Sequence, residues 1–280
     1  IGFPIMTFDM ASNLVRSADR FLIAGLLGTE ELGYYALAAF VFASLLEIPG
    51  AAREVLEPKM MHDMSEMEPA DVLRDFLFRP LCNTAHYILF LIGPAVFLLP
   101  FIELVLPRYA AGVLPAQILA LGGYFLAISF VVRGVVVAND WQRRALVPIF
   151  AVGLFNVALN GAAIKLGYGI AGVAAASSLA YAVLLVWLLA LVKSRHPCRT
   201  LSWMPVLSGL VLPFLFLLIL LGGLWQLGEA IDVNPWAEAV LLAVLAPVLT
   251  SLYIRVAAAR NPYVDAPDYG RLLRRLRRRR

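Results

Sequence analysis

The stretch "NLVRSADRFLIAGLLGTEELGYYALAAFVFASLLEIPG", Asn13 to Gly50, decides the fold class. Two apolar runs flank a small acidic turn, Gly28-Thr29-Glu30-Glu31-Leu32-Gly33. A membrane span needs roughly 20 apolar residues, because the hydrocarbon core is ~30 Å thick and a helix rises ~1.5 Å per residue. Each run is long enough. Yet Arg16, Asp19 and Arg20 stand inside the first run and Glu47 inside the second. Charge in hydrocarbon is costly unless it faces protein or water.

The rest of the chain repeats the pattern. Of its residues, 61% are hydrophobic and 15% charged, against about a quarter charged in soluble domains. Eight runs read as spans, at about 3–27, 32–60, 77–106, 114–138, 145–166, 170–192, 203–225 and 236–257. A transmembrane β-barrel would instead show ~10-residue alternating segments, and "ASSLAYAVLLVWLLALV" is continuous. The expected fold is all-α, a polytopic membrane helix bundle of about eight transmembrane helices.

Orientation follows from the basic residues, which favour the cytoplasmic side. With the first span running outward, segments 59–80, 139–146, 193–202 and the tail from Arg255 are cytoplasmic and hold most of the Lys and Arg. The opposite turns hold Arg108 and Lys165. Both termini are therefore expected in the cytoplasm. "EPADVLRDFLFRP", residues 68–80, places Val72, Leu73, Phe76 and Leu77 on one side of a short helix expected to lie along the interface. "NPYVDAPDYG" reads as a linker before the tail "RLLRRLRRRR". That tail is either a disordered stop-transfer segment or an anchor for anionic lipids, each basic residue being worth roughly 1 kcal/mol near such a surface.

On the first helix, Asp9, Asn13, Arg16 and Arg20 are spaced four, three and four apart. They form one stripe, with Asp19 beside it. Asp19 and Arg20 could be a mutually neutralised pair, but adjacent residues point about 100° apart, so pairing explains the stripe poorly. A water-filled cavity explains it better. On the second helix Glu47 is the deep acid, and a buried carboxylate can carry a proton or coordinate a cation. Arg53, Glu54 and Glu57 read as interfacial, and Pro49 predicts a kink. Arg133 in "SFVVRGVVVAND" either snorkels or joins the polar site. Asn156 and Asn160 share a face and are expected to hydrogen-bond neighbouring helices.

Several chemistries have no foothold. Cys82 and Cys198 lie in opposite settings, His62, His86 and His196 do not cluster, and no P-loop, HExxH or GxSxG motif occurs. No enzyme activity, metal, cofactor or nucleic-acid partner is expected.

From residue 17, "SADRFLIAGLLGTEELGYYALA" resembles polysaccharide-biosynthesis flippases, the Wzx-type branch of the multidrug/oligosaccharidyl-lipid/polysaccharide exporter superfamily. There an Asp-Arg inside an apolar helix precedes a short Gly- and acid-containing loop and Leu-Gly-Tyr-Tyr. "LPRYAAGVLPAQILALGGYF" and "NVALNGAAIKLGYGIAGVAAASSLAYAV" are similar to two further segments, in the family's order. Such proteins have two six-helix lobes around a central cavity, sometimes with two extra C-terminal helices. The resemblance implies that residues 1–192 are the second lobe, 193–257 the two extra helices and 258–280 a cytoplasmic basic tail. The first lobe has no counterpart, so the chain is expected to be a fragment needing its N-terminal lobe, or else a second chain.

The resemblance further implies a multi-pass protein of the cell inner (cytoplasmic) membrane. It would flip a lipid-linked (undecaprenyl-diphosphate) oligosaccharide or polysaccharide precursor by alternating access. Arg16 and Arg20, with Asn13 and Arg133, would bind the diphosphate. Asp9 and Asp19 would hold the arginines in place, and Glu47 would be a candidate for ion coupling. The rivals are a cation-coupled drug antiporter of the same superfamily, whose cavity acids should outweigh its bases, and a non-transporting membrane scaffold.

Overall fold

The structure is a computed structural model that describes residues 2–63, 67, 69–195, 202–230 and 234–266. Helix α1 (Gly2–Leu26) turns into α2 (Thr29–Asp63). A third rod follows, made of α3 (Pro69–Val72), a π-helical stretch (Leu73–Phe78), α4 (Arg79–Tyr87), α5 (Leu89–Leu98) and α6 (Phe101–Val105). A 3-10 turn (Pro107–Gly112) leads to α7 (Val113–Ala138), α8 (Gln142–Lys165), α9 (Gly169–Arg195), α10 (Met204–Ala230) and α11 (Pro235–Arg260). Among the described residues there is no strand. Seven segments are long and apolar enough to cross a membrane, and α1, with 25 residues, has the length of an eighth. The fold is an all-α polytopic helix bundle.

Local sequence accounts for where the rods begin and end. Gly28, at φ 100°, takes the left-handed conformation that reverses the chain after α1, which glycine adopts without a Cβ clash. The expected six-residue acidic turn is shorter than its sequence. Thr29 already begins α2, and Glu30 and Glu31 sit in its first turn, where carboxylates complement the exposed N–H groups and the positive end of the helix dipole. Tyr34, one turn on, donates from its hydroxyl to Glu30 Oε1 at 2.6 Å.

The stretch read as an interfacial helix belongs to the third rod instead. Val72, Leu73, Phe76 and Leu77 are all buried in the main core. Val72, Phe78 and Arg79 keep right-handed helical backbone angles, so the chain enters α4 without a break. The apolar side that suggested a lipid surface is spent on other helices. In the same way α2 remains one helix through Pro49 and Pro58 and extends to Asp63, past both prolines.

Helix α7 is the hub. It packs on α9 and α2, and also on α5 and α4, while α8 lies against α9 and α1. Where α7 crosses α9, a Cβ at Gly122 would come within 2.9 Å of the Ser178 Cα. Two backbones touch there, as small residues permit in membrane bundles. The last two helices attach to the third rod, α10 on α4 and α11 on α5. The supposed linker then folds back: Asn83 and Asp265 exchange two hydrogen bonds, of 2.6 and 2.9 Å, and Asn261 Nδ2 donates to the Pro205 carbonyl. The arginine tail, together with Cys198, lies outside the described residues.

Candidate functional site

Asn13 and Arg20 of the predicted α1 stripe, with Ser17, open onto a cavity of about 630 Å³ bounded by α1, α2, α7, α8 and α9. This size falls in the range of small-molecule sites. From α1 come Asn13, Ser17 and Arg20, from α2 Glu47, Arg53 and Glu54, and from α7 Arg133. Three arginines thus stand against two glutamates among the described lining residues. The side chains of Asp9 and Arg16 lie outside the described residues.

These side chains converge for simple geometric reasons. Helix periodicity puts Asn13, Ser17 and Arg20 on one face of α1. The hairpin through Gly28 folds α2 back beside them, so Ala39, Ala43 and Leu46 form the adjoining wall. Phe42 stacks on Tyr181 of α9, with ring centroids 5.4 Å apart. Arg20 and Glu47 are exposed, in a bundle whose helices otherwise expose chiefly apolar side chains.

Arg53, read from sequence as interfacial, also borders the cavity. Its guanidinium carbon lies 5.6 Å from the centre of the Phe130 ring of α7, a cation–π distance. Its Nε is 3.9 Å from Glu57 Oε2. Together with Glu54 it lines the cavity. The spacing signal existed, since Glu47 and Glu54 are a heptad apart.

Asp19 does not line the cavity. It is 4% exposed, and its carboxylate accepts the Tyr35 hydroxyl at 2.5 Å and the Arg20 backbone N–H at 2.8 Å. Among the described residues no ion pair joins it to an arginine, so it clasps α1 to α2 by hydrogen bonds. Ser177 of α9 lies beside Tyr35 and donates to Asn156 Oδ1 of α8 at 3.3 Å. One buried polar chain therefore links α1, α2, α9 and α8. Asn156 makes the interhelical bond its spacing predicted. Asn160 is fully buried too, yet its amide has no hydrogen-bond partner among the described residues.

Other polar groups stand apart. His86 is buried, hydrogen-bonds the Cys82 carbonyl through Nδ1 and stacks on Tyr253. No group of three or more His, Cys, Asp or Glu residues that would hold a metal ion occurs among the described residues.

Compared with known proteins, the chain matches no family model, no curated protein and no solved structure. Any functional reading therefore rests on the cavity and on the residues around it.

Proposed function

We propose that the chain is the substrate-binding half of a membrane flippase that moves a lipid-linked sugar diphosphate across the bilayer by alternating access. The observation that carries this is the cavity: arginines from two different helices and from α1 enter one space inside a membrane-spanning bundle. Arginine suits a diphosphate, because it stays charged and its planar fork meets phosphate oxygens in pairs. The excess of base over acid argues against the drug-antiporter alternative, which needs the reverse. Arg16, on the same sequence stripe, would add to the positive side.

Depth divides the arginines into two levels. Asp19 bonds Tyr35, so the neighbouring Arg20 is level with that part of α2. Arg53 lies roughly 27 Å further along the axis at ~1.5 Å per residue. One headgroup cannot touch both at once. On this reading the diphosphate passes from one level to the other as the protein changes state, with Asn13 and Arg133 contributing along the way. Of the acids, Asp19 is the better candidate for ion coupling, being buried and held by the Tyr35 hydroxyl and a backbone N–H, while Glu47 would take up a counter-charge in the cavity.

We further propose the inner membrane with both termini cytoplasmic, the arginine tail binding anionic lipid heads there. A missing N-terminal lobe, or a second chain, would close the open side of the cavity.

The reading is tested by thiol protection in a full-length parent lacking other cysteines. Ala43→Cys in the cavity should be labelled by a small maleimide, and a lipid-linked sugar diphosphate should slow that labelling about tenfold. Thr29→Cys should react only from outside, and Ser194→Cys only from the cytoplasm. Labelling of Ala43→Cys that ignores the lipid, or is slowed equally by a neutral sugar lipid, would count against the proposal.

A further inference from the structure

Arg53 borders two spaces at once. Besides the polar cavity, it lines a cleft of about 40 Å³ between α2, the third rod and α7. Phe130 of α7 lines both as well. The cleft itself is largely apolar: Ala52 and Met60 form one wall, Phe76 and Pro80 the other, and Val131 belongs to the floor. The rod's wall falls where the π-helical stretch passes into α4. Both α2 and the rod pack on α7, so α7 closes the cleft from below.

The guanidinium at this junction is held loosely. Among the described residues its nearest carboxylate, Glu57, stands at 3.9 Å, too far for a hydrogen bond, and its other close contact is the face of Phe130. The fork can therefore take an incoming anion. A cation between a polar chamber and an apolar slot fits one kind of ligand, an anion carried on a hydrocarbon chain. A water-sized group needs ~10–15 Å³ of such space, so the slot of about 40 Å³ has room for about three such groups, the first carbons of a chain whose remainder lies in the bilayer.

We propose that this cleft seats the first carbons of the lipid chain while Arg53 holds the attached phosphate at its mouth. The proposal rests on the lipid-linked diphosphate reading above and deepens it by placing the tail between α2 and the third rod.

The test uses the full-length protein in nanodiscs of zwitterionic lipid, with a polyprenyl diphosphate bearing a diazirine a few carbons from the phosphate. Photolabelling followed by mass spectrometry should mark Ala52, Met60, Phe76 or Pro80. Arg53→Gln should lower the yield at least tenfold, with Arg53→Lys in between. Ala52→Trp should do the same by filling the slot. Thr84→Phe, from the opposite wall, gives a second block should the first variant fail to fold. Inorganic pyrophosphate should compete far more weakly than unlabelled polyprenyl diphosphate. Labels confined to other helices, insensitivity to both filling variants, or equal competition by pyrophosphate would overturn the proposal. Translocation without cleft labelling removes the cleft and leaves the transport reading. Cleft labelling in a protein that binds the lipid but never translocates it does the opposite.

Discussion

Replacing Arg20 by alanine should weaken binding of a lipid-linked sugar diphosphate by roughly ten- to a hundredfold. A hydrogen bond to an ionised group is worth ~1.5–3 kcal/mol, and each 1.4 kcal/mol is tenfold. Arg20 is the described arginine on the α1 wall of the cavity, and it is exposed, so the loss should appear in binding far more than in stability. Arg20→Lys keeps the charge and gives up the fork, and should fall between wild type and alanine. Arg133, on α7, should show a loss of its own, and because both arginines would meet the same ligand the double variant need not equal the product of the two losses. Isothermal titration of full-length protein, beside thermal unfolding of each variant, reads both quantities. Arginines that merely support the helices would lower the melting temperature and leave affinity unchanged.

The second large effect concerns the clasp between the first two helices. Tyr35→Phe removes the only side-chain hydroxyl that bonds Asp19 among the described residues and leaves a buried carboxylate short of a donor. That should cost about 1–3 kcal/mol or more, seen as a lower unfolding temperature in detergent. Asp19→Asn keeps the shape, removes the charge and can still accept the Tyr35 hydroxyl, so it should fold. Its transport then separates two roles. If Asp19 takes up the coupling ion, Asp19→Asn loses dependence on the ion gradient and keeps substrate binding. If Asp19 only ties α1 to α2, gradient dependence survives. Glu47→Gln, in the exposed position, is the matching control.

The class of fold was legible because hydrocarbon thickness and helical rise leave little choice for a chain with so many long apolar runs. Part of the α1 stripe was legible as well: Asn13 and Arg20 line the cavity, and their spacing needs no tertiary information. What sequence could not carry was depth and partnership. Pro49 predicted a kink, yet α2 is a single helix from Thr29 to Asp63, and nothing in the sequence showed that Arg53 borders the cavity. The apolar side of 68–80 matched a lipid-facing helix as well as a packed one, and only its burial against other helices separates the two. Asp19 stood beside Arg20 in the chain and invited an ion pair. Its actual partner, Tyr35, becomes a neighbour only through the hairpin at Gly28. Ser177 sat unnoticed inside an apolar run, although it links two helices through Asn156.

The central claim is that the cavity recognises a phosphate-bearing lipid sugar and carries it across the membrane. The most direct measurement is translocation by full-length protein in sealed liposomes, using a fluorescent short-chain lipid-linked sugar diphosphate and its phosphate-free counterpart. The fraction of label reachable by an impermeant quencher reports the leaflet. The account predicts protein-dependent translocation of the diphosphate, at least tenfold faster than that of the neutral lipid, with the preference falling when Arg20 or Arg133 becomes alanine. Translocation of both lipids at the same rate, or a preference indifferent to those arginines, would contradict it.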